Sequence, residues 1–210
     1  MNDIVTGVME EKSRVRIQVN GERVFWLSAA AYGEKPLSLN EAIDLPAFEE
    51  WLLPKQYPEA LSKAVSFLAL RARSRREVEQ KLQSRGYMDR TIELVLFKLE
   101  KEKLLDDEAF ARDWAVARTH RQLGKARILQ ELRQKGIPRA LAEKACADLP
   151  GEEQEEQAAR LADKLLRRYG GEPEDAKTIQ KILAALGRRG FSYEEASDAL
   201  QAAISRAREE

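Results

Sequence analysis

The stretch from Ser74 to Gly86, SRREVEQKLQSRG, has a layout that returns at Gly124 to Gly136 and again at Thr178 to Gly190. Repetition at this scale restricts the chain to tandem units whose cores are built alike. Ser74, Gly124 and Thr178 each stand twelve residues before the closing glycine and are types that can start a helix. Within the helix, Val78 and Leu82 are matched by Ile128 and Leu132, then by Ile182 and Leu186, always four apart and so on one face. A basic residue (Arg85, Lys135, Arg189) precedes Gly86, Gly136 and Gly190. That order suits a left-handed cap at the negative end of a helix. Tyr87, Ile137 or Phe191 follows, and a further helix then repeats apolar residues at offsets of 6, 9, 10 and 13 from the glycine. These are Ile92, Val95, Leu96 and Leu99; Ala142, Ala145, Cys146 and Leu149; Ala196, Ala199, Leu200 and Ala203.

A leading helix completes each copy: Leu61, Ala64, Val65, Leu68 and Ala72 in the first, Phe110, Ala111, Trp114 and Ala117 in the second, Ala158, Leu161, Ala162, Leu165 and Leu166 in the third. The expected fold is mainly α, with three tandem three-helix, helix-turn-helix-like repeats and a small N-terminal β-hairpin extension. The expected domains are 1–57 for the hairpin and a short-helix connector, then repeats at 58–106, 107–150 and 151–210. Ser74 with Glu77 forms a capping box, and Asp106 or Asp107 can cap the second repeat's first helix. Tyr169 to Ala176, YGGEPEDA, is an acidic loop expected to be mobile from its composition.

In the first segment, Asn20-Gly21 lies between alternating runs and predicts a type I′ hairpin. A two-residue turn would pair Val19 with Glu22, Ile17 with Val24 and Val15 with Trp26, leaving Arg14, Arg16, Gln18 and Arg23 on the other face. Two strands alone are marginal, so a third strand around Ala29 to Tyr32, or a docked helix, is expected. Between Glu34 and Pro58 four prolines predict short helical pieces, with Ser38 and Glu41 as a capping box and Pro46 at a first helical position. Phe48, Trp51, Leu52 and Leu53 are expected to rest against the helix that follows.

The 36 basic and 36 acidic residues balance, but not locally. Basic and acidic residues number 6 and 9 in 1–57, 11 and 8 in 58–106, 9 and 6 in 107–149, and 10 and 13 in 150–210. A basic middle suits a polyanionic or acidic partner, and equally a solvated surface. No apolar run reaches the roughly 20 residues of a membrane span, and MNDIVTGVMEEK lacks the order of a signal peptide, so a cytoplasmic location is expected. One cysteine, Cys146, and one histidine, His120, leave little for disulfide, metal or triad chemistry. No cofactor and no enzymatic activity are expected.

The segments LALRARSRREVEQKLQSRGY, LLDDEAFA at 104–111 and GKARILQELRQKGIP at 124–138 closely resemble the RecX recombination regulators of bacteria. The resemblance covers about residues 58 to 204. It implies a non-enzymatic regulator of DNA repair and the SOS response that binds the RecA recombinase filament on DNA and inhibits its ATPase and strand-exchange activity. Weak binding to single- or double-stranded DNA, no membrane contact and a monomeric state are further expectations. The alternative is a helical-repeat protein that binds DNA directly without a recombinase.

The residues expected to meet the partner are two basic clusters. Arg71, Arg73, Arg75 and Arg76 surround the start of one helix, where amide donors and the dipole favour an anion. Arg118, Arg121, Lys125 and Arg127 hold the corresponding region of the second repeat. The plainer reading is that Arg75 and Arg76 pair with acids such as Glu79 on a wet surface. Asp106 and Asp107 adjoin, but as helix caps rather than metal ligands. Trp26 and Trp114 are expected in the core, or as partner anchors.

Overall fold

The computed structural model describes residues 3–169 and 175–209, and residues 170–174 of the acidic loop expected from Tyr169 to Ala176 lie outside them. The chain divides into two compact units, Met1–Asp106 and Asp107–Glu210.

In the first unit, β1 (Asp3–Glu11), β2 (Arg14–Val19), β3 (Arg23–Ser28) and β4 (Ala42–Ile43) form one antiparallel sheet in the order β3-β2-β1-β4. The extension is therefore larger than a hairpin, and its third strand precedes the hairpin instead of following it. Residues Ala29–Glu34 form a helix, α1, whose N-cap Ser28 accepts from the Ala31 amide. The Asn20-Gly21 turn forms, with φ of 53° and 74° and the Val19 carbonyl accepting from Glu22 at 3.2 Å. Pairing then resumes one residue late, with Val19 opposite Arg23 and Ile17 opposite Phe25. One extra residue reverses every side chain of β3. Phe25 and Leu27 join Val15, Ile17 and Val19 in the core, Val24 is exposed, and Trp26 is half-buried on the other face.

The predicted connector is instead one helix, α2 (Leu45–Leu68), which starts on Asp44 and Pro46 and runs through Pro54 and Pro58. Each proline withholds a donor from the carbonyl four residues back, Glu50 and Pro54. All three positions are exposed, where solvent can reach carbonyls left without a donor, and the helix continues. Ser38 and Glu41 bond reciprocally, yet close a turn rather than start a helix. The buried face of α2 is Leu45, Phe48, Leu52, Gln56, Ala60 and Ala64. Phe48 and Leu52 pack on the sheet and not on the next helix; Phe48 meets Phe25 edge-on at 5.4 Å. Each buried aromatic or leucine here contributes about 1.5–3 kcal/mol.

The second half of α2 packs with α3 (Arg75–Gln83) and α4 (Asp89–Lys101) as the first three-helix repeat, around Ala60, Ala64, Val78, Leu82, Val95, Leu96 and Leu99. Ala60 faces inward, while Val65 and Ala72 are exposed. Gln56 joins the two halves of the unit: its Nε2 donates to the Trp26 carbonyl, and its Oε1 accepts from the Met88 amide and the Thr91 hydroxyl.

In the second unit α5 (Asp107–Thr119), α6 (Lys125–Gln134) and α7 (Arg139–Ala147) form the second repeat, and α8 (Gly151–Tyr169), α9 (Ala176–Arg188) and α10 (Tyr193–Glu209) the third. All six apolar residues of the repeated helix are fully buried: Val78, Leu82, Ile128, Leu132, Ile182 and Leu186. Gly86, Gly136 and Gly190 have φ of 78°, 78° and 92°, the left-handed cap that the sequence predicts. In the second leading helix Ala115 and Thr119 face inward and Ala117 is exposed. The third repeat departs at its helix start. Asp175 is the N-cap of α9, and Thr178 lies inside the helix, donating its amide and hydroxyl to Asp175 Oδ2 at 3.0 Å.

Two glycines make close backbone approaches. A Cβ on Gly86 would lie 1.7 Å from Trp26 Cδ1, so the sheet's tryptophan sits on the turn of the first repeat. A Cβ on Gly124 would lie 2.3 Å from the Gly190 carbonyl oxygen, because the α9 cap abuts the start of α6. There the Gly124 and Ala126 amides donate to the Arg189 and Gly190 carbonyls at 2.9 and 3.2 Å.

Candidate functional site

The first basic cluster occupies the turn between α2 and α3. Ser74 is buried and closes the predicted capping box: its Oγ accepts from the Glu77 amide at 3.3 Å, and Glu77 Oε2 accepts from the Ser74 amide at 3.2 Å. Glu77 also holds Arg71, whose Nη2 lies 2.9 Å from Oε1. Arg75 reaches Glu100, 25 residues on, at 2.8 Å. Neither contact uses Glu79, and the capping box already employs amides that would otherwise face an anion.

Arg73 is different. Its guanidinium lies 4.0 Å from the centroid of the half-buried Phe67 ring, and Lys81 Nζ lies 5.5 Å from the same centroid. Arg73 Nε is buried without an acceptor. Burial, and then the charge of Arg71, push its pKa below the usual arginine range. Arg76 is exposed with no ion-pair partner among the described residues. Leu70, in the same turn, is 77% exposed. The result is a surface that mixes uncompensated guanidinium groups with apolar area.

The second cluster has a similar aromatic centre with an added carboxylate. Arg118 lies 4.1 Å from the centroid of Trp114, and Lys135 lies 4.8 Å from it. Glu131 Oε2 accepts from Arg118 Nε at 2.6 Å and from Trp114 Nε1 at 3.2 Å. Glu131 Oε1 is 3.8 Å from Arg127 Nε, and Arg127 also donates to Gln130. Arg121 and Lys125 have no carboxylate partner among the described residues, but the amides of Gly124 and Ala126 beside them are taken by the α9 cap. Arg189 Nη1 closes the same seam by donating to the Arg121 carbonyl at 3.2 Å.

Four residues in each cluster are cations, yet Glu131 absorbs much of the second. It stands five residues before the closing glycine, where the first repeat has Lys81 and the third has Ala185. Phe67, Lys81 and Glu131 were not among the expected site residues. A comparison of charge at that one repeat position could have found Lys81 and Glu131.

The basic face expected on the hairpin is turned to structural use. Arg14 pairs with Glu59 at 2.7 Å and donates to the Arg85 carbonyl at 3.2 Å, fastening the sheet to the first repeat. Burial acts to raise the Glu59 carboxyl, but the hydrogen bond and charge of Arg14 hold it below its ordinary value. The neighbouring Tyr87 hydroxyl is pushed up to about 12 by burial and then by Glu59. Arg23 pairs with Glu49.

The remaining chemistry is sparse. Cys146 is buried, which pushes its thiol up to about 11, and it is protonated at neutral pH. Among the described residues no His, Cys, Asp and Glu are grouped to hold a metal, and no helix is long and apolar enough to cross a membrane.

Comparison with known proteins adds a frame for these surfaces. Residues 60–99, 106–145 and 152–200 match the first, second and third three-helix domains of RecX. A protein of Mycolicibacterium smegmatis named Regulatory protein RecX is 35% identical over 181 residues, spanning 83% of this chain and 96% of the relative. A crystal structure of regulatory protein RecX superposes with a TM-score of 0.65 at 26% identity, over 93% of this chain and 99% of that one. RecX from Lactobacillus salivarius superposes with a TM-score of 0.64 at 27% identity, over 70% of this chain and 96% of that one.

Proposed function

The chain belongs to the RecX family of regulatory proteins, and from that premise we propose that it binds the RecA filament on DNA and lowers its ATPase and strand-exchange activity. It acts by binding, without turnover, in the cytoplasmic control of recombination, DNA repair and the SOS response. The observation that carries this reading is the uncompensated face of the first repeat. Arg73 has a buried Nε with no acceptor, Arg76 is unpaired among the described residues, and Leu70 stands exposed in the same turn. An acidic protein surface with an apolar side chain suits Arg76, Leu70 and the accessible end of the Arg73 guanidinium, because anchors that combine arginine with apolar area are typical of protein interfaces.

In this reading Arg71 and Arg75 are held by Glu77 and Glu100 and position the turn, while Arg73 and Arg76 make the contact. Arg118, Arg121, Lys125 and Arg127 supply a weaker second contact. The working domains are 58–106, 107–150 and 151–210, with 1–57 as the extension. The test is ATP hydrolysis by preformed recombinase filaments titrated with the wild-type chain and with the Arg73→Glu, Arg76→Glu double variant. Dose-dependent slowing by the wild type and its loss in a variant with wild-type circular dichroism support the proposal. No slowing and no filament binding by the wild type would refute it.

A further inference from the structure

The third repeat is acidic in total, but its charges are segregated. Six of its 13 carboxylates, Glu152, Glu155, Glu156, Glu194, Glu195 and Asp198, line one groove between α8 and α10. On α9 the order is reversed. From Ala176 to Gly190 the chain carries Lys177, Lys181, Arg188 and Arg189 and no Asp or Glu, whereas α3 contains Glu77 and Glu79 and α6 contains Glu131. The last turns of α8 add Lys164, Arg167 and Arg168, again with no acid from Lys164 to Tyr169.

Lys177, Lys181 and Arg188 fall at helical spacings of four and seven, which places them along one side of α9. Each is exposed, and none lies within ion-pair distance of a carboxylate among the described residues; the N-cap Asp175 is the acid whose charge Lys181 feels. Together with Gln180, Ala184 and Tyr169 they line a shallow groove of about 430 Å³. No large apolar side chain is exposed on α9; Tyr169, 37% exposed, is the aromatic that borders it.

We infer that this groove binds the sugar-phosphate backbone of single-stranded nucleic acid, with the three cations on phosphates and Tyr169 stacked on a base. A row of unpaired cations beside one aromatic is the arrangement that serves single strands without reading sequence. It contrasts with the first repeat, where exposed Leu70 favours a protein. With the cations assigned to phosphates and one aromatic to base stacking, binding is expected to be tolerant of sequence. This contact does not depend on the recombinase reading, and it is measured with no recombinase present.

The experiment is a fluorescence-anisotropy titration of full-length chain with labelled oligothymidylate at salt concentrations from about 50 to 200 mM. The wild type binds with a negative log-log salt slope. In the Lys177→Glu, Lys181→Glu, Arg188→Glu variant that slope shrinks by about 2, the value for three phosphate contacts on a single strand, and affinity at low salt falls at least about tenfold. Tyr169→Ala loses roughly fivefold or more with the slope unchanged. The Arg73→Glu, Arg76→Glu variant keeps wild-type binding, which separates this site from the filament contact. Equal slope and affinity in wild type and triple variant overturn the inference. So does a labelled polyglutamate that binds the wild type as tightly as the oligonucleotide and is lost in the same variant, since the groove would then accept any polyanion.

Discussion

The first and second repeats carry the same number of predicted cations around the same helix start, on the same buried scaffold, yet they differ at the aromatic centre of the cluster, where only the second holds a carboxylate. In the second, Glu131 takes Arg118 and Trp114 on one oxygen and approaches Arg127 with the other. In the first, the corresponding residue is Lys81, and Arg73 remains stacked on Phe67 with a buried Nε that has no acceptor. One repeat position, five residues before the closing glycine, thus separates an arginine–aromatic stack that holds a carboxylate from one that holds a second cation. Conservation of a fold across repeats therefore says little about whether a charge cluster is available: availability is set by residues that do not belong to the cluster.

The helix starts offer the largest contrast. Gly124 meets the backbone of Gly190, whereas Ser74 is capped by its own side chain and Glu77. Gly124→Ala should cost about 3 kcal/mol, the upper range for overpacking against backbone that cannot rotate away. Ser74→Ala should cost about 1 kcal/mol, the usual worth of a cap. Urea unfolding of the two variants checks the order, and a smaller loss at Gly124 than at Ser74 would mean that the α6–α9 seam is not held closed.

Next in size is the compensating residue itself. Glu131→Gln leaves the Arg118 guanidinium, whose side chain is 20% exposed, without its carboxylate. It should lower stability by about 2 kcal/mol, less than the loss for a fully buried pair. Lys81→Gln, at the matching position, should cost only about 0.5–1 kcal/mol, the worth of its cation–π contact with Phe67. Equal effects in urea unfolding would dissolve the distinction between the repeats.

The smallest effect is one of pH. Glu59 titrates below its ordinary value when folded, so it contributes stability that is present above the unfolded carboxyl's pKa of about 4.3 and is lost as pH falls through the lower folded value. Arg14→Met should make the acid-side decline of unfolding free energy shallower. A steeper decline would show that Arg14 is not what holds the Glu59 charge.

The scaffold was legible because each repeated apolar position is used three times, and Val78, Leu82 and their counterparts are buried in every copy. The misses have local causes. Asn20-Gly21 specifies the turn but not the extra residue Glu22, and that residue reverses β3. Pro54 and Pro58 read as helix breakers, yet both prolines are exposed, and their unpaired carbonyls can be served by water. At the site, residue types were readable but pairing was not: Arg75 finds Glu100 and Arg14 finds Glu59 across long stretches of chain. The sequence division by net charge also hid α9, whose cations are outweighed in the sum by acids on α8 and α10.

The most direct test sets the two clusters against each other in one assay. Binding to recombinase-coated DNA is measured at fixed salt for Arg73→Glu with Arg76→Glu, and for Arg121→Glu with Lys125→Glu, each confirmed folded by circular dichroism. The first pair should lose at least about tenfold in affinity, the worth of one or two charge-assisted contacts, and the second should lose only a fewfold. A first pair that binds like the wild type while the second fails would contradict the account and move the recombinase contact to the second repeat.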